Sequence, residues 1–248
     1  MAGAAAKPCR LSALAKRSGS DSDREAARRL IESRIAGHVS RETWQRLDQY
    51  VALLLQWQQS INLISASTIP QVWTRHVADS LQLLPFAPEA RTWLDLGSGA
   101  GFPGLVIACA LAERDGAVVH LVESDQRKAA FLREAARVTG VPAQVHVQRI
   151  EAFAASWPGV PDVVTARALA PLPKLMDYTA IWLEKGAQAL FLKGQDVEAE
   201  LTESAKYWHM DFELHPSVTD SRGRIVWVRH AQRRPPPGAA GQPDPSSR

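Results

Sequence analysis

The stretch TWLDLGSGAGFPG, Thr92 to Gly104, limits the fold of this chain more than any other. Trp93, Leu94 and Leu96 form an apolar run with one embedded acid, Asp95. Glycines follow at alternate positions, Gly97, Gly99 and Gly101, and then come Phe102, Pro103 and Gly104. An apolar run that breaks into alternating glycines reads as a strand ending in a tight turn that opens a helix. Glycine lets the backbone come close to a ligand, and the start of a helix aims unpaired N–H groups at it. A turn that only packs strand against helix does not call for three alternating glycines. The stretch therefore marks a nucleotide-type cofactor site on an α/β sheet.

Two frames fit these glycines. Gly99-x-Gly101-x-x-Gly104 matches the dinucleotide fingerprint, and Glu123 lies about 20 residues on, where a ribose-binding acid belongs. In that frame the chain is an NAD(P)-dependent oxidoreductase. Asp95-x-Gly97-x-Gly99-x-Gly101 matches instead the first motif of Rossmann-like methyltransferases that use S-adenosyl-L-methionine (AdoMet). Asp95 favours this second frame. AdoMet carries a sulfonium and an ammonium, so a carboxylate beside the turn is useful, whereas a dinucleotide site usually has an apolar residue there. Pro103 suits a first helical turn and withholds one N–H that a pyrophosphate could use.

The chain of 248 residues is 46% apolar and 22% charged, an ordinary globular composition. The ends differ. Residues 1–20 carry Lys7, Arg10, Lys16 and Arg17 without an acid, and residues 231–248 are crowded with Pro, Gly and Ser; both read as disordered tails. Between them the pattern divides into a helical extension, 21–90, and a cofactor-binding α/β domain, 91–230. The net charge of +3 permits a nucleic-acid partner without demanding one. Cys9 and Cys109 give neither a disulfide framework nor metal spacing. No apolar run approaches the ~18 residues of a membrane span, and the first residues lack a secretory hydrophobic region. The expectation is a cytoplasmic monomer without a bound metal.

Ser22-Asp-Arg-Glu25 has the form of a capping box, with Leu30, Ile31 and Ile35 on one face behind it. After Ser40, Trp44, Leu47, Val51 and Leu54 keep helical spacing, and a third helix is expected from Thr68 to Leu84. From Arg91 onward strands and helices alternate. Further strands are expected at 117–122, 141–148, 161–166 and 187–192, with helices from a Ser124 cap to Thr139, near 173–183, and at 197–208. The last two strands, near 211–215 and 224–229, have only the turn Asp220-Ser-Arg-Gly223 between them, so they form an antiparallel hairpin. Such alternation implies a parallel sheet covered on both faces. The expected fold is α/β: a Rossmann-like AdoMet-dependent (class I) methyltransferase fold, with a seven-stranded, mostly parallel sheet and an N-terminal helical extension. A dinucleotide enzyme would more often continue into a separate substrate domain, for which no residues remain.

Ligands of such sheets bind at the carboxyl ends of the strands. Glu123 ends the second strand and either accepts hydrogen bonds from both ribose hydroxyls or, as a solvated acid, caps the next helix. Arg149-Ile150-Glu151 ends the third, where an acid and a neighbouring N–H either face an adenine or stabilise a helix start. Arg167 ends the fourth and either faces the centre of group transfer or makes a surface ion pair. Lys193-Gly194 ends the fifth and either meets substrate or simply turns the chain. Arg167 and Lys193 are the catalytic candidates. Arg75 and His76 lie four and three residues before Asp79; this edge either docks its helix onto the sheet or lines a substrate mouth.

Two devices are absent. Exocyclic-amine methylation usually relies on an Asn/Asp-Pro-Pro-aromatic stretch after the fourth strand, but the chain reads Arg167-Ala-Leu-Ala-Pro171 there. Methylation at a pyrimidine carbon needs a cysteine nucleophile, and neither cysteine is placed for it. A ring nitrogen such as guanine N7 needs neither, since its in-plane lone pair can attack by positioning alone. Arginine is the natural reader of the guanine edge. A non-catalytic RNA- or ribosome-binding module with a relic cofactor site is a further alternative.

In these residues the chain resembles the small-subunit rRNA methyltransferase G family, formerly called glucose-inhibited division protein B. The likeness covers Asn62 to Arg229. Its marks are Asn62-Leu63-Ile64, Arg75-His-Val-Ala-Asp-Ser-Leu81, Asp95-Leu-Gly-Ser-Gly-Ala-Gly-Phe-Pro-Gly104, Lys128-Ala-Ala-Phe-Leu132, Arg149-Ile-Glu151, Ala166-Arg-Ala168 and Leu192-Lys-Gly194. The resemblance implies AdoMet-dependent methylation of guanine N7 at guanine 527 of 16S rRNA, with the small ribosomal subunit as partner, in bacterial cytoplasm. It implies AdoMet contacts at Gly97, Phe102, Ile150, Glu151 and Arg167. Glu151 is followed by Ala152 where the family often has a second acid, which leaves Glu151 as the more important carboxylate. The glycine turn and the strand ends add Asp95, Gly99, Gly101 and Glu123 to the cofactor-binding set.

Overall fold

The computed structural model describes residues 21–34 and 39–235. The basic segment 1–20 with Cys9, and Ile35 of the first helical face, lie outside the described residues, as does the chain beyond 235. Two helices lead, α1 (Asp21–Arg34) and α2 (Arg41–Trp57). Ser22 lies within α1 instead of capping it. Ser40 does cap α2, its Oγ accepting from the Thr43 N–H at 3.0 Å, and Trp44, Leu47, Val51 and Leu54 are buried as their spacing implies. The single helix expected over 68–84 is broken. A 3₁₀ segment, Ala66–Gln71, contains Pro70, whose missing N–H cannot continue an α ladder. A widened π turn, Trp73–Ala78, follows and passes into one α turn, Asp79–Leu81; together these two turns form α3.

Seven strands make the sheet: β1 (Thr92–Leu96), β2 (Val118–Glu123), β3 (Ala143–Val147), β4 (Val163–Arg167), β5 (Gln188–Lys193), β6 (Trp208–Pro216) and β7 (Arg224–Arg233). Their order is β3-β2-β1-β4-β5-β7-β6. The first five pair in parallel, and β7 is antiparallel to both β5 and β6. Five helices connect them: α4 (Gly104–Leu111), α5 (Gln126–Thr139), α6 (Ile150–Ser156), α7 (Leu172–Leu183) and α8 (Val197–Ser204). The chain order reverses across β1 and β4, so their carboxyl ends open a crevice.

Several boundaries differ from expectation for local reasons. Asp125, not Ser124, caps α5, its Oδ1 accepting from the Arg127 and Lys128 N–H groups. Ile150 and Glu151 do not end β3; they open α6, which is too short to show a helical period. The helix expected to reach 208 stops at Ser204, and β6 begins at Trp208. Strand β7 continues to Arg233, past the expected tail boundary at 231, because Ala231 is buried and the strand pairs along β6 as far as Trp208.

Alternation in β1 sends Trp93 to one face of the sheet, where it joins apolar residues of α2, α3, α4 and α5, and sends Leu94 and Leu96 to the other, packed with α6, α7 and α8. Gly104 sets how closely α4 lies on the sheet. A Cβ there would stand 2.4 Å from Leu121 Cδ2 and 2.8 Å from Asp95 Cβ. Among the described residues no helix is long and apolar enough to cross a membrane, and no cluster of three or more His, Cys, Asp or Glu side chains could hold a metal ion.

Candidate active site

The turn after β1 holds Gly97, Gly99 and Gly101 at φ of 65°, 54° and 94°, a region that L side chains rarely adopt. Glu123, at the end of β2, braces this turn. Its Oε2 accepts from the Gly99 N–H at 2.8 Å, and its Oε1 accepts from the Asp125 N–H at 2.7 Å. Each carboxylate oxygen keeps a further lone pair for a ligand. Tyr50 of α2 is fully buried and donates its hydroxyl to the Ala100 carbonyl. No spacing in the sequence ties Tyr50 to a turn fifty residues away.

A cavity of about 410 Å³ opens over the turn. Gly97, Gly99, Phe102, Glu123, Ile150, Glu151 and Arg167 all line it, brought together at the carboxyl ends of four strands. Leu63, Ile64 and Lys128 add to the wall. Asp95 and Gly101 are not among its lining residues. Gly101 packs against Leu105, whose Cδ1 would lie 2.6 Å from an added Cβ. Asp95 lies beneath the turn, 1% exposed. Its Oδ1 accepts from Thr165 Oγ at 2.8 Å, while Oδ2 has no partner among the described residues. Burial pushes its carboxyl up to about 6, against the bond from Thr165.

Arg167 stands between this cavity and a second one of about 350 Å³. Its Nη1 donates to the Arg75 carbonyl at 3.1 Å and to Asp79 Oδ2 at 3.3 Å, and its Nη2 donates to His76 Nδ1. Its guanidinium carbon lies 5.1 Å from the Phe102 ring centre, within cation–π range. The His76 ring stacks on Phe102 at 4.8 Å between centroids, and Tyr50 meets Phe102 edge-on at 5.4 Å. Phe102 is thus a platform shared by the helical segment, the glycine turn and β4. The expected Arg75–Asp79 neighbour pair is replaced: Arg75 bonds Asp220 at 2.7 Å, and Asp79 Oδ1 accepts from Thr219 Oγ at 2.6 Å and Gln82 Nε2 at 2.7 Å. The π turn both docks onto the sheet and lines the second cavity. Thr219 and Asp220, in the β6–β7 turn, carried no readable sign of this role.

Lys193 ends β5 and lines the second cavity. Its ammonium is turned toward the start of α7, bonded to the Ala170 carbonyl at 3.0 Å and to Glu200 at 2.7 Å. Cys109 is buried within α4, and burial pushes its thiol up to about 12.

The chain matches the family model of rRNA small subunit methyltransferase G over residues 43–226. It belongs to that family. The ribosomal RNA small subunit methyltransferase G of Bradyrhizobium sp. (strain ORS 278) is 60% identical over 196 residues, 79% of this chain and 88% of the relative. That of Rhodopseudomonas palustris (strain BisB5) is 54% identical over 218 residues, 88% and 91% of the two chains. Among solved structures, cofactor-bound Rv0187 from MTB aligns with a TM-score of 0.55 at 13% identity, over 84% of this chain and 97% of that one. A candidate O-methyltransferase from Klebsiella pneumoniae aligns with a TM-score of 0.54 at 12% identity, over 83% and 96%. At such identities the likeness is one of fold, the class I methyltransferase fold. Family membership makes the chain an rRNA methyltransferase of this group.

Proposed function

We propose that this methyltransferase carries the methyl group of AdoMet to N7 of a guanine in 16S rRNA, the base at position 527, by in-line transfer without a covalent enzyme intermediate. The observation that carries the proposal is the junction of the two cavities at Arg167 and Ala168, which line both. One cavity suits the cofactor and the other the acceptor base.

The first cavity fits AdoMet by its chemistry. Its walls offer two carboxylates, Glu123 and Glu151, beside the backbone of a glycine turn, and Asp95 beneath the turn keeps one oxygen without a partner among the described residues. Glu123 would take the ribose hydroxyls, Ile150 and Glu151 the adenine, and Gly97, Gly99 and Phe102 would face the rest. Bound there, AdoMet supplies an electrophilic methyl on a cationic sulfur. Arg167 and Phe102 border the place where the acceptor must enter.

Attack by N7 releases no proton at the junction, and the residues there agree with that. His76 and Asp79 are both engaged in hydrogen bonds to Arg167 and other neighbours. Lys193 is paired, and the Cys109 thiol lines neither cavity. Arg167 spends three of its five N–H donors on α3; the others are available for guanine O6, leaving N7 open. Arg75, Arg167, Lys193 and Arg224 outnumber Asp79 and Asp220 in the lining of the acceptor cavity, a positive excess suited to RNA phosphate.

The deciding assay is transfer from tritium-labelled AdoMet to small subunits that lack the methyl group, followed by digestion and mapping. Label recovered as 7-methylguanosine at position 527 is the expected result. Label on another base removes the N7 assignment, and calorimetry showing NADH binding without AdoMet binding removes the cofactor.

A further inference from the structure

His76 sits at the centre of a one-way hydrogen-bond chain. Thr68 Oγ donates its only proton to the Ser65 carbonyl at 2.8 Å. It must therefore accept the 2.8 Å bond it shares with His76 Nε2, which places the ring proton on Nε2. Nδ1 is then a lone pair, and it faces Arg167 Nη2. A protonated ring would instead turn an N–H toward the guanidinium. The ring is held on its flat side by Phe102, so its direction is fixed as well as its tautomer.

We infer that His76 is a positioning residue for methyl transfer: as a neutral ring locked between Thr68, Phe102 and Arg167, it aims the remaining N–H groups of Arg167 at the acceptor base. The inference rests on the reading of the second cavity as the acceptor site. Surroundings keep the ring neutral: burial first, then the cationic Arg167 on β4 and Arg75 on its own helix, lower His76 to about 3. Of the facing carboxylates, Asp79 is spent on Thr219, Gln82 and Arg167, and Asp220 is spent on Arg75.

The experiment compares His76→Phe, which keeps a ring on Phe102 but offers no acceptor, with His76→Asn, whose Oδ1 stands near the place of Nδ1. Thr68→Val, which frees the tautomer, is the third variant. Single-turnover methyl transfer to unmethylated small subunits is expected to slow about 100-fold in His76→Phe, with AdoMet affinity by calorimetry unchanged. His76→Asn should regain much of the rate, and Thr68→Val should fall between. Added to Arg167→Lys, His76→Phe should cost little more, since the two act as one unit. The wild-type rate should show no ionisation near pH 6.5, the ordinary histidine value. Independently of activity, nitrogen NMR of the AdoMet-loaded protein should show the Arg167 Nη2 protons restricted in wild type and His76→Asn and freely rotating in His76→Phe. A full rate in His76→Phe, an equal loss in the Arg167→Lys background, or a rate limb near pH 6.5 overturns the inference. If wild type labels a base other than guanine while the Arg167 signal still responds to His76→Phe, the guanine reading falls and the His76–Arg167 positioning stands.

Discussion

At the scale of single residues, Asp95 and Arg167 show how position changes what a charge does. Asp95 was legible as an acid before glycines, but its burial was not. Its carboxyl is raised from 3.8 to about 6 in the fold, so the folded state resists its ionisation. The resulting penalty is absent at low pH, grows between about 4 and 6, and stays above that. At 1.36 kcal/mol per pH unit it is on the order of 3 kcal/mol. Denaturant melts of Asp95→Asn without cofactor should therefore match wild type near pH 4 and exceed it at pH 8; equal stability at both would contradict the burial argument. Arg167 was legible as a strand-end cation. Its three-point hold on α3 was not, because Arg75, His76 and Asp79 lie about ninety residues earlier in the chain. Arg167→Lys keeps the charge but loses the planar fork. Methyl transfer should fall by about 100-fold or more while AdoMet still binds, as rates and calorimetry on the same preparation would show.

At the scale of elements, the start of α2 at Ser40 was readable, since a cap acts on backbone groups within a few residues, but Ser22 falls inside α1 and Asp125 takes the place of Ser124 at the start of α5. The π turn and α6 were not readable: one depends on Pro70 and on bonds to a distant loop, the other is too short for a period. Gly104 joins both scales, because the helix it opens can lie on the sheet only without a Cβ. Gly104→Ala must displace Leu121 or Asp95 and should destabilise by about 1–3 kcal/mol, measured as a shift of the denaturant midpoint. Tyr50→Phe leaves the Ala100 carbonyl without its donor and should cost about 1–2 kcal/mol. It should also weaken AdoMet binding, because that carbonyl belongs to the glycine turn. Unchanged affinity would show that Tyr50 supports the core alone.

At the scale of the whole molecule, pH acts through buried histidines. His120 and His146 share a 3.0 Å bond between β2 and β3. Burial, then the neighbouring His146, lowers His120 to about 4, and burial also lowers His146. A histidine whose folded value lies below its ordinary 6.5 contributes its full stability above that pH and loses it as pH falls toward the folded value. Together with His76, lowered to about 3, this outweighs the opposite gain as Asp95 protonates below about 6 and predicts a melting temperature that declines between pH 6.5 and 4. His120→Gln should flatten that decline; an unaltered slope would place the acid sensitivity elsewhere.

Strand and helix alternation, the hairpin at the end of the sheet and the glycine turn were determined by the sequence alone. Each rests on the period of neighbouring residues or on the backbone freedom of glycine, and both act over short stretches of chain. The tertiary structure alone decided that Tyr50 anchors the turn, that Phe102 carries His76 and Arg167, and that the β6–β7 turn closes the second cavity. Those contacts join residues from 26 to 145 positions apart. Their partners are chosen by where the sheet order and the packing of α3 bring them, which no local pattern records.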